Sequence, residues 1–333
     1  MDRSAFGVSG KATFLVCVTL LGCGQDAHAQ GFRGDNEEEA VSILQAFSAN
    51  MGAFECFDMS LTERRHHVVP ELNRGMESTL RRRYVCHFKD GVHLVIGTKR
   101  EHSFALDSDK EDRRRRLEGI YVNAEKRQWW RLGTNGAVSL MDLPEKDADP
   151  FGRWALKWAG VYDPRHIGSN FFPSPFAGAY SFAELSRMSI GPPHQITLNE
   201  VAEENRVELV TVNQRYPGIR IRHLMDTARL VPTRMAFEVV PREGDAERTM
   251  TEKLSWEDLD GLMVPRQING ERLEKPDRDS DLRYPEFYDV VLTWHSVNRP
   301  DELPEVDEST LRDTQSLLRL LEDEAETPGT TRR

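Results

Sequence analysis

The sequence predicts an α+β fold in which a strongly curved antiparallel sheet, an open half-barrel, is covered by an N-terminal helix and several short helices. Three observations predict it: one amphipathic helix near the N-terminus, turn signals between strand-like runs in the first half, and six strand-length runs in the second half. Consecutive strands joined by short turns are antiparallel, because a parallel return needs a crossover of about a dozen residues. We therefore expect a single half-barrel-like domain over residues 30–300.

The composition is that of a folded body rather than a disordered or polytopic membrane chain. The 333 residues are 38% hydrophobic and 30% charged, which is enough for a sizeable core. The 44 basic and 55 acidic residues give a formal net charge of −11. This charge repels nucleic acid and anionic membrane surfaces, so we expect no nucleic-acid partner.

Residues 1–29 have the pattern of a signal peptide. The apolar run at 12–21 is shorter than the roughly 20 residues that span a bilayer. The sequence allows two processing sites. One is a small-x-small cleavage site at 27–29, and the other is a Leu-Leu-Gly-Cys run that ends at Cys23 and resembles a bacterial lipobox. Lipidation of Cys23 would anchor the mature protein to a membrane, which is its only predicted membrane contact, whereas the other cleavage would release it. In both cases we expect an exported protein of the periplasm or envelope.

Export allows one internal disulfide. Cys17 lies in the removed segment under both alternatives, which leaves Cys56 and Cys86 as the internal pair. A bridge between them would close a loop of about 30 residues and contribute about 3 to 4 kcal/mol in the chain-entropy model. Two buried thiols are the alternative, and the sequence leaves both open.

Residues 36–51 carry the pattern of an amphipathic helix. Asn36 and Glu39 have capping-box spacing, in which each side chain can bond the other residue's backbone N–H. Apolar residues then recur every three or four positions, which places them on one helical face: Ala40, Ile43, Leu44, Phe47 and Met51. This stripe must pack on another apolar surface, and the strand-like segments that follow supply one.

Two hairpins are predicted in the first half. Residues 83–97 contain two β-branched and aromatic runs around an Asp-Gly pair, and residues 127–142 contain two more around an Asn-Gly pair. Between them, residues 107–118 include four consecutive arginines whose field the flanking acidic residues largely neutralise, so we predict a solvated loop. The proline-rich residues 144–194 are predicted to connect the two halves through short helical pieces.

The second half shows the clearest strand pattern. Its runs are separated by Pro-Gly, Gly-Asp or Asp-Gly pairs that favour turns. The six predicted strands cover residues 206–213, 219–226, 234–240, 249–256, 262–268 and 288–297. Residues 301–333 are acidic and are predicted to form a final helix over about 307–325 and a frayed tail.

No motif in the sequence identifies a catalytic chemistry. The chain lacks a Gly-x-Ser-x-Gly elbow, nucleotide-binding glycine loops and a His-Glu-x-x-His pair, so we predict no cofactor. His66 and His67 are adjacent on a predicted strand and would point to opposite faces. His87 and His93 flank a predicted turn, but the sequence shows no third ligand near them. We therefore predict no metal site.

Large apolar side chains on the strands suggest a ligand cavity instead. A sheet face lined with them becomes an apolar concavity when the sheet curves, and such a concavity can hold an acyl chain. The predicted inward-facing, ligand-binding residues alternate with polar neighbours or lie mid-strand: Trp130, Leu132, Phe237, Val239, Trp256 and Trp294. A one-residue shift in register would reverse the face of any of them.

The order of these parts resembles a known family. Residues 221–232 (IRHLMDTARLVP), residues 253–265 (KLSWEDLDGLMVP) and the closing run 290–298 are similar to strand-and-turn units of the LolA/LolB-type lipoprotein carriers and of LppX-like envelope lipoproteins. The resemblance extends over about residues 36–298 as architecture. It implies an open half-barrel closed by helices and non-catalytic binding of a lipid, an acyl chain or a lipoprotein. This chain is longer than the family pattern, with a proline-rich middle and an acidic C-terminal helix.

The predicted function is therefore that of a non-catalytic, exported envelope protein that binds an apolar ligand in a concavity. One alternative is an extracytoplasmic hydrolase whose acid and base are scattered, with Asp163, His166 and Glu257 as candidates. Another is a structural envelope protein whose sheet is filled by its own side chains. An open apolar cavity would favour the binding protein, and converging carboxylates or a Ser-His pair would favour the hydrolase. A packed interior would favour the structural protein.

Overall fold

The computed structural model describes residues 35–69, 74–88, 92–98, 101–103, 117–122, 127–132, 138–142, 164–169, 194–214, 216–239, 247–274 and 284–322. The predicted signal peptide with Cys23, the arginine run, Asp163 and the tips of both predicted hairpins lie outside these ranges. Within them, none of the helices combines the length and the hydropathy needed to cross a membrane.

The described part of the chain is mostly β-structure. It begins with helix α1 (Asp35–Gly52), and after the last strand come two short helices, α2 (Glu308–Arg312) and α3 (Thr314–Glu322). The first seven strands are β1 (Cys56–Val69), β2 (Arg74–His87), β3 (Val92–Thr98), β4 (Glu101–Ser103), β5 (Leu117–Val122), β6 (Arg127–Leu132) and β7 (Val138–Asp142). The other seven are β8 (His194–Glu200), β9 (Arg206–Asn213), β10 (Tyr216–Asp226), β11 (Val231–Val239), β12 (Glu247–Leu259), β13 (Leu262–Glu274) and β14 (Tyr284–Val297).

All described strands belong to one antiparallel sheet with the order β7-β6-β5-β3-β2-β1-β14-β13-β12-β11-β10-β9-β8, and β4 pairs with β2 beside this path. Each half of the chain is a meander, except that in the first half β5 pairs with β3 and β4 pairs with β2. The two meanders join through β1 and β14, where Leu61 lies opposite Leu292 at the centre of the sheet. The six predicted strands of the second half and both predicted hairpins are confirmed as β9–β14, β2–β3 and β6–β7.

The sheet curves around α1. One apolar core contains residues of α1 and of ten neighbouring strands, β8–β14 and β1–β3. Ten flat strands would extend over about 43 Å, because adjacent strands lie about 4.8 Å apart. With 18 residues, α1 is only about 27 Å long. A single helix can share one core with all ten strands only when the sheet bends, so the predicted curved antiparallel sheet with covering helices is confirmed.

Asn50 attaches the end of α1 to the sheet. Its Nδ2 donates to the carbonyl of Met263 at 2.8 Å, and its Oδ1 accepts from the Met263 N–H at 3.0 Å. Asn298 similarly fixes the loop after α1, since it accepts from the Glu55 N–H at 2.7 Å and donates to the Ala53 carbonyl at 2.8 Å. The C-terminal end of α1 is thus held at the start of β13 and the end of β14.

We expect Asn50→Ala to lower the free energy of unfolding by about 2 kcal/mol, because it removes two hydrogen bonds and leaves the Met263 backbone groups without these partners. Urea unfolding followed by circular dichroism measures this loss. Asn199→Ala is the matched control, since the Asn199 amide bonds Glu208 at 3.1 Å on an exposed surface. Equal losses in the two variants would contradict the proposed role of Asn50.

The two C-terminal helices cover the opposite side of the sheet. Their leucines pack on β2, β3 and β5 in a second apolar cluster: Leu311, Leu317 and Leu321 against Val85, Leu94, Ile96 and Tyr121. The single predicted helix over 307–325 is divided at Asp313, whose backbone leaves the helical region with φ −92° and ψ 93°. Its carboxylate then accepts from the Gln315 N–H at 3.0 Å and starts α3, a competing local bond that periodicity does not show.

Candidate functional site

The inner face, defined as the face of the sheet that contacts α1, carries two of the predicted ligand-binding residues in fixed positions. The Trp256 ring meets Phe47 of α1 edge-on, with ring centroids 5.7 Å apart. Its Nε1–H donates to the Pro232 carbonyl at 2.6 Å. Trp294 stacks at 5.4 Å from Phe54, and its Nε1–H donates to the Pro265 carbonyl at 2.7 Å. Both indoles therefore pack against aromatic rings from α1 and the loop after it.

The other predicted residues differ in their surroundings. Phe237 lies half-buried on β11 opposite Ile221 and Met250, whereas Val239 at the strand end is 40% exposed. Trp130 and Leu132 lie on β6, where Trp130 pairs with Gly119 and Leu140, and their side chains fall outside the described part of the chain. The fold thus brings Phe237, Trp256 and Trp294 onto one inner face.

Cys56 and Cys86 are both buried, and neither is in a disulfide. Cys86 pairs with Phe57, the neighbour of Cys56, so the two cysteine side chains leave opposite faces of the sheet. The bridge that the sequence allows is therefore not formed in the structure. Burial raises the pKa of the Cys56 thiol, with a smaller contribution from the charge of Glu55, which keeps the thiol protonated and unreactive.

A row of polar residues crosses the inner face at one level. Register places His223, Met235, Glu252, Gly270, Tyr288 and Arg65 opposite one another on six adjacent strands. We name His223, Glu252 and Tyr288 the polar row. A Cβ on Gly270 would come within 2.0 Å of the Tyr288 ring. Because glycine leaves this space open, Tyr288 reaches across β13, and its hydroxyl donates to Glu252 Oε1 at 2.5 Å.

Burial decides the charge states of this row. Glu252 is 1% exposed, and desolvation raises its pKa to about 7, against a smaller lowering by the Tyr288 hydrogen bond. Burial, followed by the nearby Glu252 charge, also raises the pKa of Tyr288. Burial lowers the pKa of His223 to about 4, against a smaller opposite effect of the Gly168 backbone, so its imidazole is neutral. At neutral pH His223 and Tyr288 are therefore uncharged, whereas Glu252 is about half ionised.

The charged residues beside the row are paired. Glu286 accepts from Arg65 at 3.2 Å and from Arg272 at 2.7 Å, and Arg65 also bonds Glu63. Burial alone would raise the pKa of Glu286, but the attraction of the two guanidinium groups outweighs it and lowers the pKa. The second carboxylate oxygen of Glu252, in contrast, has no hydrogen-bond partner within the described ranges.

The outer face, opposite α1, holds a buried network that includes a Ser-His pair. Arg83 makes two bonds to Asp58, at 2.6 and 2.7 Å. Ser60 Oγ lies 2.9 Å from His295 Nε2, and Arg83 Nη1 lies 2.7 Å from the same nitrogen. A guanidinium can only donate, so Arg83 occupies the lone pair of the imidazole nitrogen that would accept a proton from Ser60, and Ser60 is only 2% exposed. This arrangement is that of a structural network rather than of an activated nucleophile.

The other candidates for acid and base chemistry do not converge. The turn that contains His166 packs on the inner face, since Gly168 two residues later lies against Pro232 and Trp256. Glu257 follows Trp256 on β12 and projects from the outer face, 3.9 Å from Arg266. The described residues also contain no group of three His, Cys, Asp or Glu side chains that could hold a metal ion.

An open groove of about 540 Å³ runs mainly along the outer face of β12, β13, β14, β1 and β2. Its charged lining mixes both signs, with Arg64 and Lys253 beside Glu271 and Asp289. Phe237, Val239, Trp256 and Trp294 do not line it. This groove is therefore distinct from the apolar inner face.

We expect the stability of the protein to fall as pH rises from 5 to 8 because of Glu252. Its pKa is raised from 4.5 to about 7 by folding, so between these values the unfolded chain loses a proton that the folded protein keeps. The stabilisation is complete below pH 4.5 and is lost as the pH passes through 7, an effect of about 3 kcal/mol. Glu252→Gln mimics the protonated side chain and should remove this part of the pH dependence.

Urea unfolding at pH 5 and pH 8 measures the effect as the difference between Glu252→Gln and the wild type. Glu271→Gln, on the exposed side of the adjacent strand, is the control and should leave the pH dependence unchanged. A Glu252→Gln protein that keeps the full wild-type pH dependence would contradict the assignment.

The sequence patterns predict the aromatic residues of the inner face but not the buried polar residues Glu252 and His223. One signal for Glu252 was present, because Glu252, Leu254 and Trp256 are spaced by two and share a strand face. A carboxylate that shares a strand face with an inward-facing tryptophan is expected to be buried. No comparable local signal places His223 at the same level of the sheet, since that alignment depends on the register of β10, β11 and β12.

No family model matches the chain, and no curated protein matches it. The chain is similar to several solved structures. One is described as an outer membrane lipoprotein-sorting protein domain from Vibrio parahaemolyticus, 11% identical with a TM-score of 0.37, over 85% of this chain and 100% of that chain. A DUF1329 family protein from Desulfovibrio piger is 11% identical with a TM-score of 0.39, over 84% of this chain and 100% of that one.

A third similar structure is a LolA superfamily protein from Nitrosomonas europaea, 11% identical with a TM-score of 0.34, over 82% of this chain and 97% of that chain. LolA-type proteins, which the sequence patterns resemble, are thus among the solved structures to which this chain is similar, at 11% identity and with TM-scores of 0.37 and 0.34.

Proposed function

We propose that this protein is a non-catalytic, exported binding protein of the cell envelope that holds a lipid or an acyl chain, free or attached to a lipoprotein, against the inner face. One observation carries the proposal: within the described residues, helix α1 and the short turn at 164–169 pack on an apolar inner face to which ten strands contribute. Displacement of α1 would expose part of this apolar surface without breaking the sheet. Phe237, Val239, Trp256 and Trp294, together with Trp130 and Leu132, are proposed to contact the chain.

The free energy lost when α1 leaves the inner face is similar to the free energy gained when an acyl chain takes its place. The apolar residues that α1 buries include Val41, Ile43, Leu44, Phe47 and Met51. Five such side chains contribute about 10 kcal/mol at about 2 kcal/mol each. An acyl chain of about 14 to 16 carbons gains a similar gross amount on burial, at about 0.8 kcal/mol per CH₂. A ligand can therefore replace the contacts of α1 without a large net cost.

The apolar run at residues 12–21 and its two cleavage patterns support an exported location, in the periplasm or attached to the envelope. The intact mass of the mature protein tests this proposal. A lipidated N-terminus at Cys23 would indicate a membrane anchor, and a start at Gln30 would indicate a released protein. A mature protein that retains residues 1–22 would contradict both.

Native mass spectrometry and lipid extraction on protein purified from an envelope fraction test the ligand, together with titration of a fluorescent fatty acid. We expect bound lipid and saturable binding. Asn50→Ala should bind the probe faster, because it loosens the attachment of α1 to Met263, whereas Asn199→Ala should match the wild type. Absence of bound lipid together with absence of affinity for the probe would overturn the proposal.

A structural envelope protein with a filled sheet is the second candidate. It is favoured by the packing of Trp256 against Phe47 and of Trp294 against Phe54 and Phe57, which fills the apolar part of the inner face. The negative outcome of the lipid experiments would select this candidate.

A further inference from the structure

We propose that the inner face binds the polar head of its ligand between His223 and Glu252, and that this head is an uncharged group bearing a hydroxyl. The inference rests on the proposed function and deepens it, because it assigns a site and a chemical class to one end of the bound molecule.

The geometry of the two side chains supports a shared site. His223 and Glu252 are each 1% exposed, and both lie on the inner face at the same level of the sheet. Only Met235 on β11 separates them, so their backbones are about 10 Å apart, two strand spacings. A head group of a few heavy atoms can reach both side chains across this distance.

Several polar atoms at this place have no internal partner. Within the described ranges, neither Glu252 Oε2 nor the Thr211 hydroxyl on β9 makes a hydrogen bond, and the His223 imidazole has no polar partner apart from the Gly168 backbone. Thr211 pairs with Ile221, two residues from His223, and shares its face. Buried polar groups are nearly always paired in folded proteins, because an unpaired one costs free energy. A concentration of such atoms on neighbouring strands indicates a site for a polar group from outside the chain.

The chemistry of these atoms selects an uncharged donor and acceptor. Neutral imidazole offers one N–H donor and one acceptor nitrogen, and the second oxygen of Glu252 accepts or, when protonated, donates. The two arginines nearest the row already bond Glu286, so an anionic head would meet the Glu252 carboxyl without a cation to compensate it. An ammonium head would need an ionised Glu252, which burial disfavours, and it would lose its own hydration on entering the site. A hydroxyl satisfies both partners, as in a monoacylglycerol.

Apolar residues beside the site can accommodate the chain that carries this head. Met235 is unbranched and adaptable, so its thioether can shift to admit the head group. Ile221 and Phe237 lie opposite each other on β10 and β11, two residues further along the same face. Phe237 is one of the ligand-binding residues predicted from the sequence, and it connects the polar site to the apolar surface.

The test compares three amphiphiles with the same 16-carbon chain: a monoacylglycerol, a fatty acid and an alkylamine. Each displaces a fluorescent fatty acid from the full mature protein. For the wild type we expect the monoacylglycerol to bind about tenfold more tightly than the other two, the effect of one well-made hydrogen-bonded contact. Glu252→Leu and His223→Leu should each reduce this preference to within about twofold, while Glu252→Gln, which keeps a donor and an acceptor, should retain it.

Glu271→Leu, on the exposed outer face, is the control and should retain the wild-type preference. If a leucine variant does not fold, the relative affinities of the three amphiphiles for the wild-type protein are sufficient to test the inference. Equal binding of the three amphiphiles, or a preference for a charged head, would overturn the inference and leave acyl-chain binding intact. Binding of none of them would overturn the proposed function, and the inference with it.

Discussion

Arg83→Met should destabilise the protein by about 3 to 5 kcal/mol, the cost of leaving a buried charge without its partner. Asp58 and Arg83 are 3% and 5% exposed, and the guanidinium makes two bonds to the carboxylate, at 2.6 and 2.7 Å. The substitution removes both bonds and the contacts with Ser60 and His295, while the Asp58 carboxylate stays buried without a cationic partner. Urea unfolding measures the loss.

A double variant separates the charge effect from packing. Asp58→Leu combined with Arg83→Met replaces the ion pair by apolar groups, so most of the stability should return. Arg266→Met is the control, because Arg266 is 65% exposed and lies 3.9 Å from Glu257, and it should leave the unfolding free energy nearly unchanged. If the single and double variants lose the same stability, the buried charge is not the cause.

Phe57→Ala should cost about 3 to 5 kcal/mol, because it leaves a cavity that the sheet cannot close. The Phe57 ring is fully buried on β1 and contacts Phe54, Phe88 and Trp294, with centroids 6.0, 5.7 and 5.4 Å away. Loss of this ring should also weaken the near-ultraviolet circular dichroism of Trp294. Both signals are measured on the same urea titration.

Phe287→Ala is the matched control for Phe57→Ala. Phe287 lies on β14 with the same side chain but is 46% exposed on the outer face, so its removal should cost less than about 1 kcal/mol. A Phe57→Ala protein that is as stable as the Phe287→Ala protein would show that the ring is not part of a packed core.

Local signals explain why much of the fold could be predicted. The turn between β12 and β13 is an example, since Asp260 and Gly261 adopt φ values of 56° and 88° between Leu259 and Leu262. These are the positive angles that an Asp-Gly pair predicts. The strands β9–β14 are likewise encoded by alternation and turns within short windows, and helix α1 by its apolar residues at every third or fourth position, although it begins at Asp35 and not after the predicted cap Asn36.

Contacts between distant segments explain what could not be predicted. The pairing of β1 with β14 joins residues more than 200 positions apart, such as Leu61 and Leu292, and no local pattern specifies it. The same holds for the site. The aromatic residues could be picked out in the sequence, but the contact between Phe47 of α1 and Trp256 could not. Nor could the alignment of His223 with Glu252, which depends on the β10–β11 and β11–β12 pairings.

The central position of the β1–β14 pair constrains how the protein is made. A chain that leaves the ribosome N-terminus first produces β1 early, but its partner on one side, β14, is the last of the described strands to be made. Until then the unpaired edge of β1 is open to misassociation with other chains. The sheet can therefore be completed only after β14 has been synthesised, so we expect chains truncated before β14 to aggregate.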